Sequence, residues 1–318
     1  MLYLNTSSPR RTFLQQATAI ATVAAMPGLC FAESSPATRI IDTHTHFYDP
    51  TRKAGVPWPG KGTWLDRPVY PQDWLAVAAP LGVQETVIVE ASAWLEDNQW
   101  ILDLAAKEKC VVGFVGNLQP QEIDFPKHLK RFGANPIFRG IRISGDFTKH
   151  VEQAEFQNGL KLLADMNLEL DINSSQLKEA AKLAADYPTL RIVIDHVGSA
   201  GDAARLTESW RISMAKLGER KNVFCKVSAL TEQTAASHKR HGDAPRDTAY
   251  YKPILDQCWD SFGPDRLIYG SNWPVCEKGG SFADQFKIAS EYFRDKGAEA
   301  CEKFFWKNSL TAYEWIQK

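Results

Sequence analysis

Residues 39–47 of the chain read Arg-Ile-Ile-Asp-Thr-His-Thr-His-Phe, an apolar run that ends in two histidines one residue apart. The run predicts a β-strand, and alternate side chains of a strand share a face, so His44 and His46 point the same way. Two imidazoles at the end of one strand supply half of a metal site, and imidazole suits zinc and its neighbours. The alternative is a pair of polar side chains that leave the strand for solvent. We favour the metal site, because the pair comes at the end of a run that begins with Ile-Ile-Asp.

Seven further apolar or β-branched runs follow this one, and segments with helical periodicity separate them. The eight predicted strands are residues 40–43, 86–90, 111–116, 138–143, 168–172, 191–195, 223–227 and 267–269. Apolar strands that alternate with helices predict a parallel sheet, and eight such units match a single-domain (β/α)8 TIM barrel of the α/β class. A doubly wound sheet would need a Gly-rich phosphate turn after an early strand, and the sequence has none. The segment from Ala298 to Trp315 predicts an extra helix that covers one end of the barrel.

In a barrel of this kind the active site lies at the carboxyl ends of the strands. That rule brings one set of polar residues together: His44, His46, Glu90, Asn117, Arg142, Asp171, Asn173, His196, Lys226, Ser228, Ser271 and Asn272. Three histidines on two strands, surrounded by carboxylates and cations, indicate a chemical site. Taken alone, His196 would be interpreted as a structural histidine of the core.

Two long loops are candidates for the wall of a pocket. Residues 47–70 hold Trp58 and Trp64 among prolines and glycines, a composition that suits either a cover for a small ligand or packing on the barrel rim. Residues 229–246 are rich in basic side chains and histidines. For that second loop we favour simple solvation over anion recognition.

Composition limits the kinds of partner. The chain has 318 residues, 44% of them hydrophobic, with 37 basic side chains against 38 acidic ones. A net charge near zero offers no electrostatic attraction to nucleic acid or to an anionic membrane. We therefore expect a small-molecule substrate that is recognised by local contacts, and no nucleic-acid partner.

Residues 1–32 have the features of a twin-arginine export signal. The pair Arg10-Arg11 precedes a weakly apolar, Ala-rich run at residues 17–25 and a small-residue cleavage site that ends at Ala32. The run is too short to span a bilayer, so we expect no stable membrane association, and an uncleaved amphipathic anchor is disfavoured because the segment has no charged face. We expect export to the periplasm, with residues 33–318 forming the barrel. The five cysteines of that domain have no CxxC spacing and predict buried structural thiols.

Five motifs in this order resemble the successive strand ends of the amidohydrolase superfamily: residues 41–50 (IDTHTHFYDP), 139–142 (RGIR), 194–198 (IDHVG), 224–228 (FCKVS) and 269–275 (YGSNWPV). They are most similar to the amidohydrolase-2 branch, which contains sugar-acid lactonases such as fuconolactonase. The resemblance implies a distorted (β/α)8 barrel and hydrolysis of a cyclic ester. It also implies that one divalent metal is used in some members of the branch and none in others.

Two departures from the superfamily pattern affect the chemistry. Members with two metals carry a carboxylated lysine or Glu on the fourth strand and a His on the fifth, where this chain has Arg142 and Asp171, so we expect one metal at most. On the eighth strand Asn272 replaces the Asp that accepts the proton of the attacking water. An amide has no useful basicity, so the base must lie elsewhere. Glu90 is our first choice and Asp171 our second, although Glu90 could instead pair with a cation at the rim.

The leading hypothesis is a lactone hydrolase of a sugar acid or a related carboxylated molecule. The predicted metal ligands, for one Zn²⁺ or Mn²⁺, are His44, His46, His196 and Glu90. The predicted catalytic residues are Glu90, Asp171, Asn272 and His196, and the predicted substrate-binding residues are Arg142, Lys226, Trp58 and Trp273. Without metal, the same histidines and cations would activate the carbonyl by hydrogen bonds. A non-oxidative decarboxylase and a non-catalytic periplasmic binding barrel are the alternatives, and the sequence assigns no oligomeric state.

Overall fold

Eight parallel strands follow one another in chain order around a single sheet in the computed structural model, which describes residues 39–317. They are β1 (Ile41–Thr45), β2 (Glu85–Val89), β3 (Val111–Gly116), β4 (Phe138–Ser144), β5 (Glu169–Asn173), β6 (Ile192–Ile194), β7 (Val223–Val227) and β8 (Leu267–Tyr269). Each predicted strand is present, and the predicted (β/α)8 barrel is confirmed. The strands are short and almost wholly buried, as apolar runs covered on both faces should be.

Helices surround the sheet. They are α1 (Pro71–Ala78), α2 (Asp97–Ala105), α3 (Phe125–Gly133), α4 (Ala154–Asp165), α5 (Leu177–Asp186), α6 (His196–Ser199), α7 (Glu208–Gly218), α8 (Ala235–Lys239), α9 (Thr248–Phe262), α10 (Phe282–Asp295), α11 (Ala298–Glu302) and α12 (Asn308–Tyr313). Of these, α6 is a single turn of left-handed backbone, and α12 lies in the C-terminal segment at one end of the barrel. The segment between β3 and β4 forms α3, whose buried face consists of Phe125, Leu129 and Phe132 at helical spacing.

The barrel is distorted where β8 meets β1. In place of a full ladder, Thr45 forms an isolated bridge with Trp273, and the amide of His46 donates to the Trp273 carbonyl over 2.9 Å. Side chains complete the closure: the Thr43 hydroxyl donates to the Tyr269 carbonyl over 2.6 Å. The carboxyl ends of β1 and β8 are therefore held side by side.

The C-terminal segment closes the amino-terminal end of the barrel. Tyr313 and Trp315 pack in one buried cluster with apolar side chains of six strands. The amide of Ile316 donates to the carbonyl of Val112 in β3 over 2.9 Å. The expectation that this segment covers one end of the barrel is confirmed, which leaves the carboxyl ends of the strands for a site.

Two expectations concern the termini and the cysteines. The predicted export segment, residues 1–32, lies outside the described residues. Within residues 39–317, no helix has the length and apolar character needed to cross a membrane. Four of the five cysteines are buried and the fifth is partly buried, in line with a structural role.

Candidate active site

A cavity of about 240 Å³ opens at the carboxyl ends of the strands. It is lined by His46, Trp58, Ala91, Arg142, Asn173, His196, Asn272 and Val275. Five of these residues were predicted as site residues from the sequence. The volume suits a ligand of one small ring, since pockets for drug-sized ligands measure roughly 300 to 1,000 Å³.

His44 of β1 and His196, which follows β6, meet at the floor of this cavity. The ring centroids of His44 and His196 are 4.5 Å apart, and Asp195 completes the only group of three side chains within residues 39–317 that could hold a metal ion. Ligand atoms of the three residues lie within 4.8 Å of one another. Nε2 of His44 is buried and has no hydrogen-bond partner among the described residues, so a further partner is expected there.

Burial controls the charge of the histidines. It lowers the pKa of His44 well below its usual value, that of His46 to about 3 and that of His196 to about 4. All three rings are therefore neutral at pH 7, and neutral imidazole is the form that binds a divalent ion. The donor set of His44, Asp195 and His196 fits one such ion.

His46 has partners for both ring nitrogens. Its Nδ1 lies 2.9 Å from the carbonyl of Val89, and its Nε2 lies 3.2 Å from Oδ1 of Asn272. His46 was predicted as a metal ligand, but the structure places it outside the group that could hold an ion. It forms part of the cavity wall, and the centroids of the His46 and Trp58 rings are 5.9 Å apart.

A run of left-handed backbone aims His196 at the cavity. The φ angles are 54° at His196, 47° at Val197 and 53° at Ser199. Each such residue costs about 1–3 kcal/mol, so the surrounding structure must hold the run in place. Trp210 Nε1 donates to the Val197 carbonyl over 3.0 Å, and Nδ1 of His196 lies 2.9 Å from the hydroxyl of Ser228.

Lys226 and Asp171, predicted to bind substrate and to act in catalysis, lie below the cavity and do not line it. The ammonium of Lys226 lies 2.7 Å from Asp171, 2.8 Å from Asp195 and 3.2 Å from Nδ1 of His44, with no exposed side-chain surface. Burial opposes the charge of Lys226, yet Asp171 and Asp195 raise its pKa. The structure therefore gives Lys226 a position from which it supports His44 and Asp195.

Asp195 was missed by the sequence prediction. Burial acts to raise its pKa, but Lys226 and His44 outweigh burial and hold the pKa well below the usual value. The available signal was its position directly before His196 in the motif at residues 194–198.

Arg142 lines the cavity, and its charge is already matched. Its guanidinium donates from Nε to Glu90 Oε1 over 2.9 Å and from Nη2 to the Glu90 carbonyl over 2.8 Å. Both side chains are nearly buried, with 10% and 9% of their surfaces exposed. Burial acts to lower the pKa of Arg142, but Glu90 and Asp195 raise it overall. Glu90 therefore pairs with a cation, which was the alternative role predicted for it from the sequence. The structure does not place Glu90 among the possible ion ligands.

Asn272 and Trp273 follow β8 and differ in position. Asn272 reaches the cavity and has a left-handed φ of 61°. Its Nδ2 lies 2.9 Å from Oε1 of Glu232, a buried carboxyl that the sequence prediction also missed. Trp273 is buried behind the cavity and donates from Nε1 to Glu277 over 3.1 Å, so the structure does not place it against a substrate.

Comparisons with known proteins point to one family. The model of the amidohydrolase family matches residues 41–315. An L-fucono-1,5-lactonase of Burkholderia ambifaria is 32% identical over 252 residues, which are 77% of this chain and 83% of that protein. An L-fucono-1,5-lactonase of Burkholderia multivorans is 25% identical over 284 residues, which are 84% of this chain and 92% of that protein.

A solved structure shares the fold. It is an amidohydrolase from Burkholderia multivorans with bound zinc, with a TM-score of 0.78 and 24% identity over 87% of this chain and all of that one. The family match spans all eight strands and every residue of the candidate site. The chain is therefore an enzyme, and it belongs to the amidohydrolase family, in the amidohydrolase-2 branch.

Proposed function

We propose that this enzyme hydrolyses the lactone of a sugar acid, and that the lactone it prefers carries no charged group. One observation carries the second part: the described residues that line the cavity include one cation, Arg142, and Glu90 neutralises it. A carboxylated substrate would have to displace Glu90 or remain unpaired in a largely buried site, which is costly. A neutral polyhydroxylated ring needs hydrogen bonds alone. The similarity to proteins named L-fucono-1,5-lactonase supports this substrate class.

The cavity residues supply binding and carbonyl activation. Trp58 offers an aromatic face to the sugar ring, and Arg142 and Asn272 offer N–H groups to the lactone carbonyl. His44, Asp195 and His196 would hold one divalent ion, which when bound would act as a Lewis acid on that carbonyl. Together these groups favour the charge that develops on the carbonyl oxygen.

Proton transfer from the attacking water needs a carboxylate near the cavity. Asp171 is enclosed beneath it by Lys226 and Tyr313. Glu90 is bonded to a residue of the cavity wall and directly precedes Ala91, which also lines the cavity. We assign the proton-accepting role to Glu90, whose carboxylate Arg142 holds in place.

A substrate panel tests the proposal. Neutral sugar-acid lactones and lactones that carry an extra carboxylate are compared through the acid released on ring opening, with spontaneous hydrolysis subtracted. We expect turnover of neutral lactones, with kcat/KM at least about 100-fold higher than for carboxylated ones, because a polar mismatch in a buried site has that effect or more. His196→Ala, which removes a cavity residue, serves as the inactive control. Preference for carboxylated lactones would contradict the proposed substrate class, and release of CO2 would identify a decarboxylase.

A further inference from the structure

Glu232 is a buried carboxyl group that the proposed chemistry leaves without a role. It lies in the loop after β7, is 6% exposed, and forms no ion pair with any residue in the described part of the chain. Buried carboxyl groups without a cation are costly when charged. It lies directly behind Asn272, a residue of the cavity wall.

The two oxygens of Glu232 have different partners. Oε2 accepts hydrogen bonds from Gln285 Nε2 over 2.9 Å and from the Thr231 hydroxyl over 3.2 Å. Oε1 lies 2.9 Å from the amide of Asn272. Because two donors occupy Oε2, a proton on this carboxyl group would sit on Oε1 and face Asn272.

The surroundings of Glu232 favour its neutral form. The titratable groups that face it are Tyr251 of α9 and Cys276 after β8, and burial raises the pKa of both, so both are uncharged at neutral pH. Gln285 of α10 and Asn272 carry no charge. With no cation beside it, burial raises the pKa of Glu232 to about 7, although its hydrogen bonds act to lower it.

The tautomer of His46, on the other side of Asn272, also favours a protonated Glu232. The Val89 carbonyl, 2.9 Å from Nδ1, can only accept, so Nδ1 carries the proton of the ring. In that tautomer Nε2 needs a donor, and the amide of Asn272 provides one when its nitrogen faces His46 and its oxygen faces Glu232. A rotation of the amide by half a turn exchanges its two ends without changing its shape. A protonated Oε1 of Glu232 then donates to the Asn272 oxygen. Each group in this series of hydrogen bonds, from Val89 through His46 and Asn272 to Glu232, then has a partner.

We propose that Glu232, as a neutral carboxylic acid, is a positioning residue that fixes the Asn272 amide with its nitrogen toward His46. The second N–H of Asn272 is then free to donate to the substrate carbonyl. Asn272 acts as a hydrogen-bond donor at the position where the superfamily usually has a base. The role of that donor in turnover rests on the proposed lactone hydrolysis, whereas the protonation of Glu232 and the amide orientation do not.

Two substitutions test the proposal through the pH profile of kcat. In Glu232→Gln, a carboxamide replaces the protonated carboxyl group with a donor that does not ionise, so activity is kept. The wild type should lose kcat as the pH rises through about 7, and Glu232→Gln should lack this alkaline limb. Glu232→Ala removes the donor and should lower kcat at least about 10-fold with a smaller change in KM, because the amide is no longer oriented. Glu96→Gln, an exposed matched control, should keep the profile of the wild type.

Measurements without substrate separate this proposal from the proposed function. The infrared difference spectrum of the wild type minus Glu232→Gln should show the band of a protonated carboxyl group at about pH 5 that disappears by about pH 9. The wild type should also lose thermal stability relative to Glu232→Gln as the pH rises from 4.5 to about 7, because the unfolded chain ionises this group in that range and the folded chain does not. If no lactone is hydrolysed, the proposed function fails while these measurements still decide the state of Glu232. Absence of the infrared band overturns the proposal, and so does an unchanged alkaline limb in an active Glu232→Gln enzyme. If Glu232→Ala does not fold, Glu232→Gln alone decides.

Discussion

The Arg142–Glu90 pair links the cavity wall to the stability of the barrel. Removing Arg142 leaves a buried carboxylate without its cation, which costs about 3–5 kcal/mol. We expect Arg142→Met to lower the free energy of unfolding by about that amount and to lower kcat/KM as well, because a donor to the carbonyl is lost. Denaturant unfolding and lactone turnover measure the two effects.

A double variant separates charge balance from catalysis. Glu90→Gln combined with Arg142→Met removes both charges, so most of the lost stability should return while activity stays low. Return of activity together with stability would show that the pair serves the fold alone.

At the scale of single residues, the sequence predicts well which side chains line the cavity, but it predicts poorly which side chains form ion pairs. Arg142, His196, Asn272 and Trp58 were predicted because strand ends and long loops in a barrel share one face. The pairing of Lys226 with Asp195 and Asp171 depends on contacts between strands far apart in the chain, which no local pattern reveals. Glu232 lies in an irregular loop and carries no periodicity that would mark it as buried.

At the level of elements, the junction of β1 and β8 depends on one carboxylate. Asp42 accepts hydrogen bonds from the Ser271 amide over 2.8 Å, the Ser271 hydroxyl over 2.6 Å and Trp74 Nε1 over 3.2 Å. It thereby ties β1 to the end of β8 and to helix α1. Burial raises the pKa of Asp42 to about 6, so it is still ionised at pH 7 and suits these three donors and a fourth, the His44 amide.

Asp42→Asn should weaken this junction. An amide offers one acceptor and places an N–H against a donor, so we expect a loss of about 2–4 kcal/mol in the free energy of unfolding. Asp103→Asn, on the exposed side of α2, is the matched control and should change stability by less than about 0.5 kcal/mol. Equal melting temperatures of the two variants would mean that the junction is held by the remaining contacts of Trp273 and Thr43.

The elements that the sequence predicts best are those with the strongest pattern. Buried strands such as β3, and β7 apart from Lys226, are apolar runs, and their predicted bounds agree with the structure. The register shift between Asp42 and Thr45 in the pairing of β1 with β2 was not predictable, since strand register depends on contacts between segments far apart in the chain.

For the whole molecule, the possible metal site is a consequence of barrel closure. His44 comes from β1, whereas Asp195 and His196 follow β6, so the three ligands meet only in the folded barrel. An ion that binds the folded chain alone raises its apparent stability. Metal content and thermal stability should therefore change together.

We expect no more than one tightly bound divalent ion per chain, and we expect its ligands to include Asp195 and to exclude Glu90. Asp195→Asn should lower the metal content by about 10-fold or more, because an amide is a far weaker ligand than a carboxylate. The Glu90→Gln/Arg142→Met double variant should retain the ion, since Glu90 is bonded to Arg142 and lies outside the group of possible ligands. Elemental analysis after purification measures the content, and a chelator should lower the melting temperature of the wild type and of this double variant but not that of Asp195→Asn. Loss of the ion from the double variant with retention in Asp195→Asn would restore Glu90 to the ligand set predicted from the sequence, and two equivalents in the wild type would require a second site.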